Sequence, residues 1–322
     1  MSGRWLIRRL STNAIVLFAA LIVNFALPRL MPGSPVDRFA GGTKMSAEAR
    51  DALIERFGLD APLWDQFWRY LVGTLQADLG QSFAYFPQPV SELLLRALPW
   101  TLLLLVTSLV LQVGIGYVLG ATSGWHAGSR LDTGLQTLSL IFFSTPLFWV
   151  AMVLLYVFGF QLGWLPLSGA FTIGVDAGLA VRIGDVARHA ILPIASLTIA
   201  QYASYQIILR NNMVGVLQEQ YMLTAEAKGL SDRTLKHTHA ARNALLPVVT
   251  FLGVSLAMSL TGSVFVESVF SYPGLGKLMY DSVLSRDYPM LQGCFLMFSL
   301  VVVAANLLVD ITYWFLDPRI TY

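Results

Sequence analysis

The chain has 322 residues, 56% of them hydrophobic and 12% charged, with a mean hydropathy of +0.63. Soluble globular domains carry about 25% charged residues, so these numbers exclude a water-soluble fold, and the wealth of apolar side chains excludes disorder; an integral membrane protein is the class left. A net charge of +2 speaks against nucleic-acid binding, and a single cysteine, Cys294, rules out a disulfide framework or a cysteine-based zinc site.

A bilayer core needs roughly 20 apolar helical residues. Six stretches qualify: 10–27, 101–123, 135–160, 191–209, 248–266 and 291–315. Arg4, Arg8 and Arg9 precede the first, as in a signal peptide. The run is long, however, and ends in Pro28-Arg29 without a small-residue cleavage site, so it reads as a retained span.

Residues 31–99 read as a small helical segment. Ser46 is placed to cap a helix whose apolar face is Ala49, Ala52, Leu53 and Phe57, ended by Gly58. Asp60 is expected to cap a second helix with Trp64, Phe67, Trp68, Leu71 and Leu75 on one face. A third, short helix opens at Ser91-Glu92 and is expected to stop at Pro99.

In the second span Gly116, Gly120 and Gly124 recur every four residues, a pattern that lets helices approach closely. The fourth is the most polar, with Gln201, Ser204, Tyr205 and Gln206. Next, 217–228 reads as a helix ended by Gly229, and Ser231 as the cap of another running through Arg242 to about 246. This makes an elbow with a short polar face. In the fifth span Ser255, Ser259 and Ser263 form a stripe. With Gln201, Tyr205 and Gln206, that stripe is either helix-packing glue or the lining of a hydrated pathway.

Some patterns carry nothing. Pro273-Gly274-Leu275-Gly276-Lys277-Leu278 looks like part of a phosphate loop, but Ser271 and Leu278 stand where that motif needs Gly and Ser/Thr. His237 and His239 are two apart and cannot form an i,i+4 metal pair. His126, His189, His237 and His239 all fall in loops or at span ends, so no metal site is expected. No catalytic residue is expected either.

Orientation follows from Lys/Arg placement. The N-terminal tail, the loop after span 2, residues 210–247 and the C-terminal tail hold ten Lys/Arg against five acids; the other side holds ten against twelve, with Glu267 assigned to its span. Both termini and 210–247 are therefore expected in the cytoplasm and 31–99 outside. The expected fold is all-α: six transmembrane helices, an external helical segment and a cytoplasmic loop. It divides into 1–30 (tail and first helix), 31–99 (external segment) and 100–322 (five-helix core containing the loop at 210–247). The halves show no internal repeat. A carboxylate near the midplane, which a proton-coupled carrier would use, is missing: Glu267 and Asp310 sit at span ends.

At the elbow the chain resembles a known family. Tyr221-Met222-Leu223-Thr224-Ala225-Glu226-Ala227-Lys228-Gly229-Leu230-Ser231, followed by His239-Ala240-Ala241-Arg242-Asn243-Ala244-Leu245-Leu246-Pro247, is similar to the EAA loop of ABC importer permeases. The form is that of the dipeptide/oligopeptide/nickel family, AKGL…HALRNALLP. Further matches are Leu30-Met31-Pro32-Gly33-Ser34-Pro35, Gly58-Leu59-Asp60-Ala61-Pro62-Leu63-Trp64 and Asp78-Leu79-Gly80-Gln81-Ser82. Pro146-Leu147-Phe148-Trp149, Leu162-Gly163-Trp164-Leu165-Pro166 and the stretch from Val266 to Gly276 follow, then Arg286-Asp287-Tyr288-Pro289 and Leu316-Asp317-Pro318-Arg319. The sequence departs from the pattern at Leu223-Thr224-Ala225, where the wider superfamily has Glu-Ala-Ala, and at Ala241, where Leu is usual.

The resemblance implies the first permease subunit of an ATP-driven importer in a bacterial inner membrane. It implies a second permease subunit, two cytosolic ATPase subunits gripping Thr224, Ala225, Glu226, Ala227, Lys228, Gly229 and Leu230, and an external binding protein that delivers substrate. ATP and Mg would belong to the ATPases, and this chain would bind no cofactor. Lipid is the remaining partner. The family admits short peptides, peptide-like solutes and nickel complexes; the hydroxyls and amides of the spans favour the organic solutes. A secondary transporter acting alone is the alternative from another class.

Overall fold

The computed structural model describes residues 3–30, 47–56, 58–174 and 178–316. The cap expected at Ser46, the side chains of Ala49, Leu53 and Phe57, and the motif residues 31–35 and 317–319 lie outside what is described. The described residues are almost wholly helical. In chain order the helices are α1 (Gly3–Leu30), α2 (Ala47–Arg56), α3 (Leu63–Leu75), α4 (Val90–Trp125), α5 (Arg130–Ser144), α6 (Leu147–Leu154), α7 (Leu179–Leu217), α8 (Gln220–Ala227), α9 (Asp232–Thr234), α10 (Arg242–Ala244), α11 (Leu246–Val269), α12 (Leu275–Ser285) and α13 (Tyr288–Leu316). π-Helical stretches, Leu155–Gln161 and Leu235–Ala241, follow α6 and α9. Among the described residues five helices are long and apolar enough to cross a membrane, and six if the bent pair from α5 to Gln161 is one span. The protein is thus an all-α integral membrane protein.

Several expected boundaries move. Pro99 does not stop a helix; α4 runs through it. Val90, Leu94, Ala97 and Thr101 are buried at helical spacing on both sides of the proline, so packing holds the helix, and proline's fixed φ is compatible with it. The span expected over 135–160 is bent by 97°. Proline forces its predecessor towards extended backbone, and Thr145 before Pro146 sits at φ −86°, ψ 127°. α7 begins twelve residues before the expected 191: its first turns carry Arg182, Asp185, Arg188 and His189 among apolar residues, charges that a count of span length leaves out. His189, expected in a loop or at a span end, lies buried within α7. Asp60 does not cap α3: Pro62 precedes it, and the Gln66 amide ties the entry by donating to Ala61 O at 2.8 Å. The helix expected over 217–228 is interrupted at Glu219, whose backbone is extended.

The chain forms two compact units. One comprises Met1–Trp100 and Pro273–Ala304. In it, Arg29 at the end of α1 donates to Gln66 Oε1 of α3 at 2.8 Å, and Phe25 meets Phe67 edge to face, centroids 5.2 Å apart. Trp64, Trp68 and Leu75 remain exposed on α3. Its core gathers Val90, Leu94, Ala97, Leu275, Met290 and Cys294. Two motif fragments meet there: Asp287 accepts hydrogen bonds from Ser82 Oγ, from Ala84 N at 3.0 Å and from Met290 N at 3.1 Å. The phosphate-loop look-alike is a turn into α12, with Gly274 preceding it and Lys277 paired to Asp281.

The second unit comprises Thr101–Tyr272 and Ala305–Thr321. α7 is its axis, packed by α5, α6 and α11. α4 lies against α7 through its glycines. A Cβ on Gly116 would stand 2.4 Å from Tyr205 Cβ, and one on Gly120 would stand 2.8 Å from Gln206 O. No side chain larger than hydrogen fits that approach.

Candidate coupling loop and polar seam

The elbow after α7 is built by local rules. Gly229 sits at φ +73°, left-handed backbone that favours glycine. Its N–H donates to Glu226 O at 2.8 Å, ending α8. Ser231 caps α9, its hydroxyl accepting from Thr234 N at 3.4 Å. The two arms are tied where Asn243 Nδ2 donates to Tyr221 OH at 2.8 Å.

The elbow is docked on the second unit. Met222, Ala225, Leu235, Ala240, Ala241 and Ala244 join Ala121 of α4 and Tyr205, Leu209 and Met213 of α7 in one apolar core. Lys236 Nζ donates to Thr122 Oγ1 at 3.2 Å, and the Tyr117 hydroxyl pairs with His237 Nδ1 at 2.9 Å. Burial lowers the pKa of the Lys236 ammonium below its ordinary value. The seven residues singled out in sequence therefore divide. Ala225 is only 6% exposed and joins the chain's own core. Thr224, Glu226, Ala227, Lys228, Gly229 and Leu230 are exposed. Tyr221 and Leu223, outside the original set, join them; Leu223 is 64% exposed. The pattern was readable in part: at positions 222 and 225 the apolar residues face inward, and Leu223 falls on the other side of the helix, with Tyr221 on its flank.

Four of the six seam residues pair between α7 and α11, and the other two bond elsewhere. The Tyr205 hydroxyl bonds Ser255 Oγ. Ser259 Oγ donates to Gln201 Oε1 at 2.9 Å, and Ser263 Oγ to Leu260 O at 2.9 Å. Gln206 Oε1 accepts from Ser139 of α5. Tyr205, Gln206, Ser255, Ser259 and Ser263 are buried and Gln201 is half-buried; all but Ser263, which bonds within α11, join helices. Gln206 Nε2 and Gln112 Oε1 are buried with no hydrogen-bond partner.

Sequence reasoning missed an ion pair. Asp132 at the start of α5 and Arg210 of α7 meet at 2.6 Å, the carboxylate almost fully buried. Both had been counted as loop charges. The signal was there in one acid and one base flanking apolar spans, a placement that favours pairing.

A bundle of apolar spans carrying a docked helical elbow defines the class: an integral membrane permease. The chain belongs to the family described as binding-protein-dependent transport system inner membrane component, whose model matches residues 112–322; a model for the N-terminal membrane component of such systems matches residues 2–105. It is similar to the oligopeptide transport system permease protein AppB of Bacillus subtilis, with 36% identity covering 99% of each chain. It is also similar to the di/tripeptide transport system permease protein DppB of Pseudomonas aeruginosa, at 34% identity over 98% of each. The glutathione transport system permease protein GsiC of Pectobacterium atrosepticum is 39% identical over 99% of each. The protein is a non-catalytic, membrane-spanning permease component of an ABC transporter.

Proposed function

We propose that this chain forms half of the translocation pathway of a peptide importer. A second permease subunit supplies the other half, and two separate ATPase subunits, which hold ATP and Mg, grip the elbow. An external binding protein delivers the substrate. The observation that carries this reading is the elbow itself. Its inner face is committed to the chain's own core, while Tyr221, Leu223 and Leu230 are left exposed on a rigid mount. Exposed apolar side chains on a fixed helix are the groups that a partner's groove can desolvate for binding energy. In this reading the elbow and both termini are cytoplasmic, as the Lys/Arg excess there suggests. ATP-driven closure of the ATPases moves the elbow, and α7, which leads into it, carries that movement to the pathway.

Short peptides are the proposed cargo. The relatives are described as oligopeptide, di/tripeptide and glutathione systems, and amide-rich chains are the common chemistry. Because Tyr205, Gln206, Ser255, Ser259 and Ser263 are buried among this chain's own helices, selection among peptides is left to the binding protein. In liposomes holding the assembled complex and its binding protein, short peptides are expected to stimulate ATP hydrolysis and accumulate inside. Stimulation by a nickel chelate with peptides inert would overturn the cargo assignment.

A further inference from the structure

The contact between α4 and α7 ends in a lock. Beyond Gly116 and Gly120, a Cβ on Gly124 would lie 2.8 Å from Met213 Cβ, so the helices touch backbone to backbone over three successive turns. At the end of this seam the Asp132 carboxylate gathers four pieces of chain. It accepts from Ser123 Oγ of α4 at 2.5 Å and from Gly128 N of the following turn at 2.9 Å. It accepts from Gln136 Nε2 of α5 at 3.0 Å, and from Arg210 of α7 through Nε at 3.2 Å and Nη2 at 2.6 Å. About two turns beyond Arg210, α7 ends and the elbow begins. The returning arm of the elbow is held to the same end of α4 by Lys236–Thr122 and His237–Tyr117.

A buried ion pair is weak evidence for stability, because desolvation offsets most of the Coulombic attraction. What five directed bonds add is register. The smooth glycine seam alone would let α7 slide along α4; any slide breaks the bidentate arginine fork. We propose that Asp132 and Arg210 are positioning residues for energy coupling: they lock α4 and α7 into one lever, so that displacement of the elbow reaches the pathway instead of being spent as slip between helices. The proposal rests on reading the elbow as the part that ATPase subunits grip.

The test uses the assembled complex in liposomes with its binding protein and a short peptide, measuring ATP hydrolysis and peptide uptake per complex. Asp132→Asn is expected to retain most hydrolysis while peptide moved per ATP falls about tenfold, within the range of ordinary coupling energies. Arg210→Lys keeps the charge but not the fork and is expected to fall about threefold. Hydrolysis and uptake falling in parallel, or an unchanged ratio in Asp132→Asn, would overturn the lock. Should Asp132→Asn fail to assemble, Ser123→Ala, which leaves the ion pair in place, decides: a lowered ratio at normal yield supports the lock, and an unchanged ratio refutes it. If Gly229→Val also leaves the ratio unchanged, the reading of the elbow has failed; if Gly229→Val uncouples and Asp132→Asn does not, only the lock has failed.

Discussion

The glycine seam can be tested with one substitution at two positions of the same helix. Gly114 and Gly116 both lie in α4, two residues apart, and so on different sides. A Cβ on Gly116 would stand 2.4 Å from Tyr205 Cβ and 3.2 Å from both Gln206 N and Tyr202 O, whereas a Cβ on Gly114 meets nothing within 4 Å. Carbon atoms rest about 3.5–4.0 Å apart, so Gly116→Ala forces α4 and α7 apart by roughly 1 Å or more. Overpacking of this kind costs about 1–3 kcal/mol. Gly114→Ala carries no such clash and relieves the entropic cost of a helical glycine, a gain of about 0.5–1 kcal/mol. The two variants are therefore expected to melt on opposite sides of the parent in a detergent thermal-unfolding assay. At roughly 2–4 °C per kcal/mol, they should differ by several degrees. Equal melting temperatures for Gly116→Ala and Gly114→Ala would refute the close approach of α4 to α7.

Three further outcomes are expected. Gly229→Val meets no neighbour but must hold φ near +73°, a strain of about 1–2 kcal/mol; it should insert normally and lose transport per ATP hydrolysed, and transport at the parental rate would contradict the coupling role. Ala225→Asp buries a charge in the core shared with Leu209 and Met213, so it should lower the melting temperature, whereas Leu223→Asp should leave the melt unchanged and abolish co-purification of ATPase subunits; the reverse pattern would invert the assignment of faces. In a Cys294→Ser background, a cysteine at Ser231 should resist an impermeant thiol reagent applied outside cells and one at Gln76 should react; external labelling at Ser231 would overturn the topology.

The class and the family were legible in sequence, because apolar span lengths and the elbow motif are local features. So were Gly229 as a helix end and Ser231 as a cap, since both obey rules set by neighbouring residues. What was not legible depended on contacts distant in sequence. Pro99 looks like a helix stop until the stripe from Val90 to Thr101 is seen to be buried on both sides of it. Ala225 read as a contact for another protein because a small apolar residue in an exposed loop invites that role; in the structure it is buried in the core that the elbow shares with α4 and α7. The stripe of Ser255, Ser259 and Ser263 left packing and pathway open, and its hydrogen-bond partners on α7 could not be assigned from spacing alone. Asp132 and Arg210 were invisible as a pair because 78 residues separate them.

The central claim is that separate ATPase subunits hold the exposed face of the elbow. A photo-crosslinking amino acid placed singly at Leu223, Leu230 and Leu284 in the assembled complex tests it most directly; all three positions are exposed, and Leu284 lies on α12, well away in sequence from the elbow. Irradiation is expected to join an ATPase subunit to the chain from Leu223 and Leu230 and from neither partner ATPase at Leu284. An ATPase adduct from Leu284 with none from Leu223 or Leu230 would contradict the account.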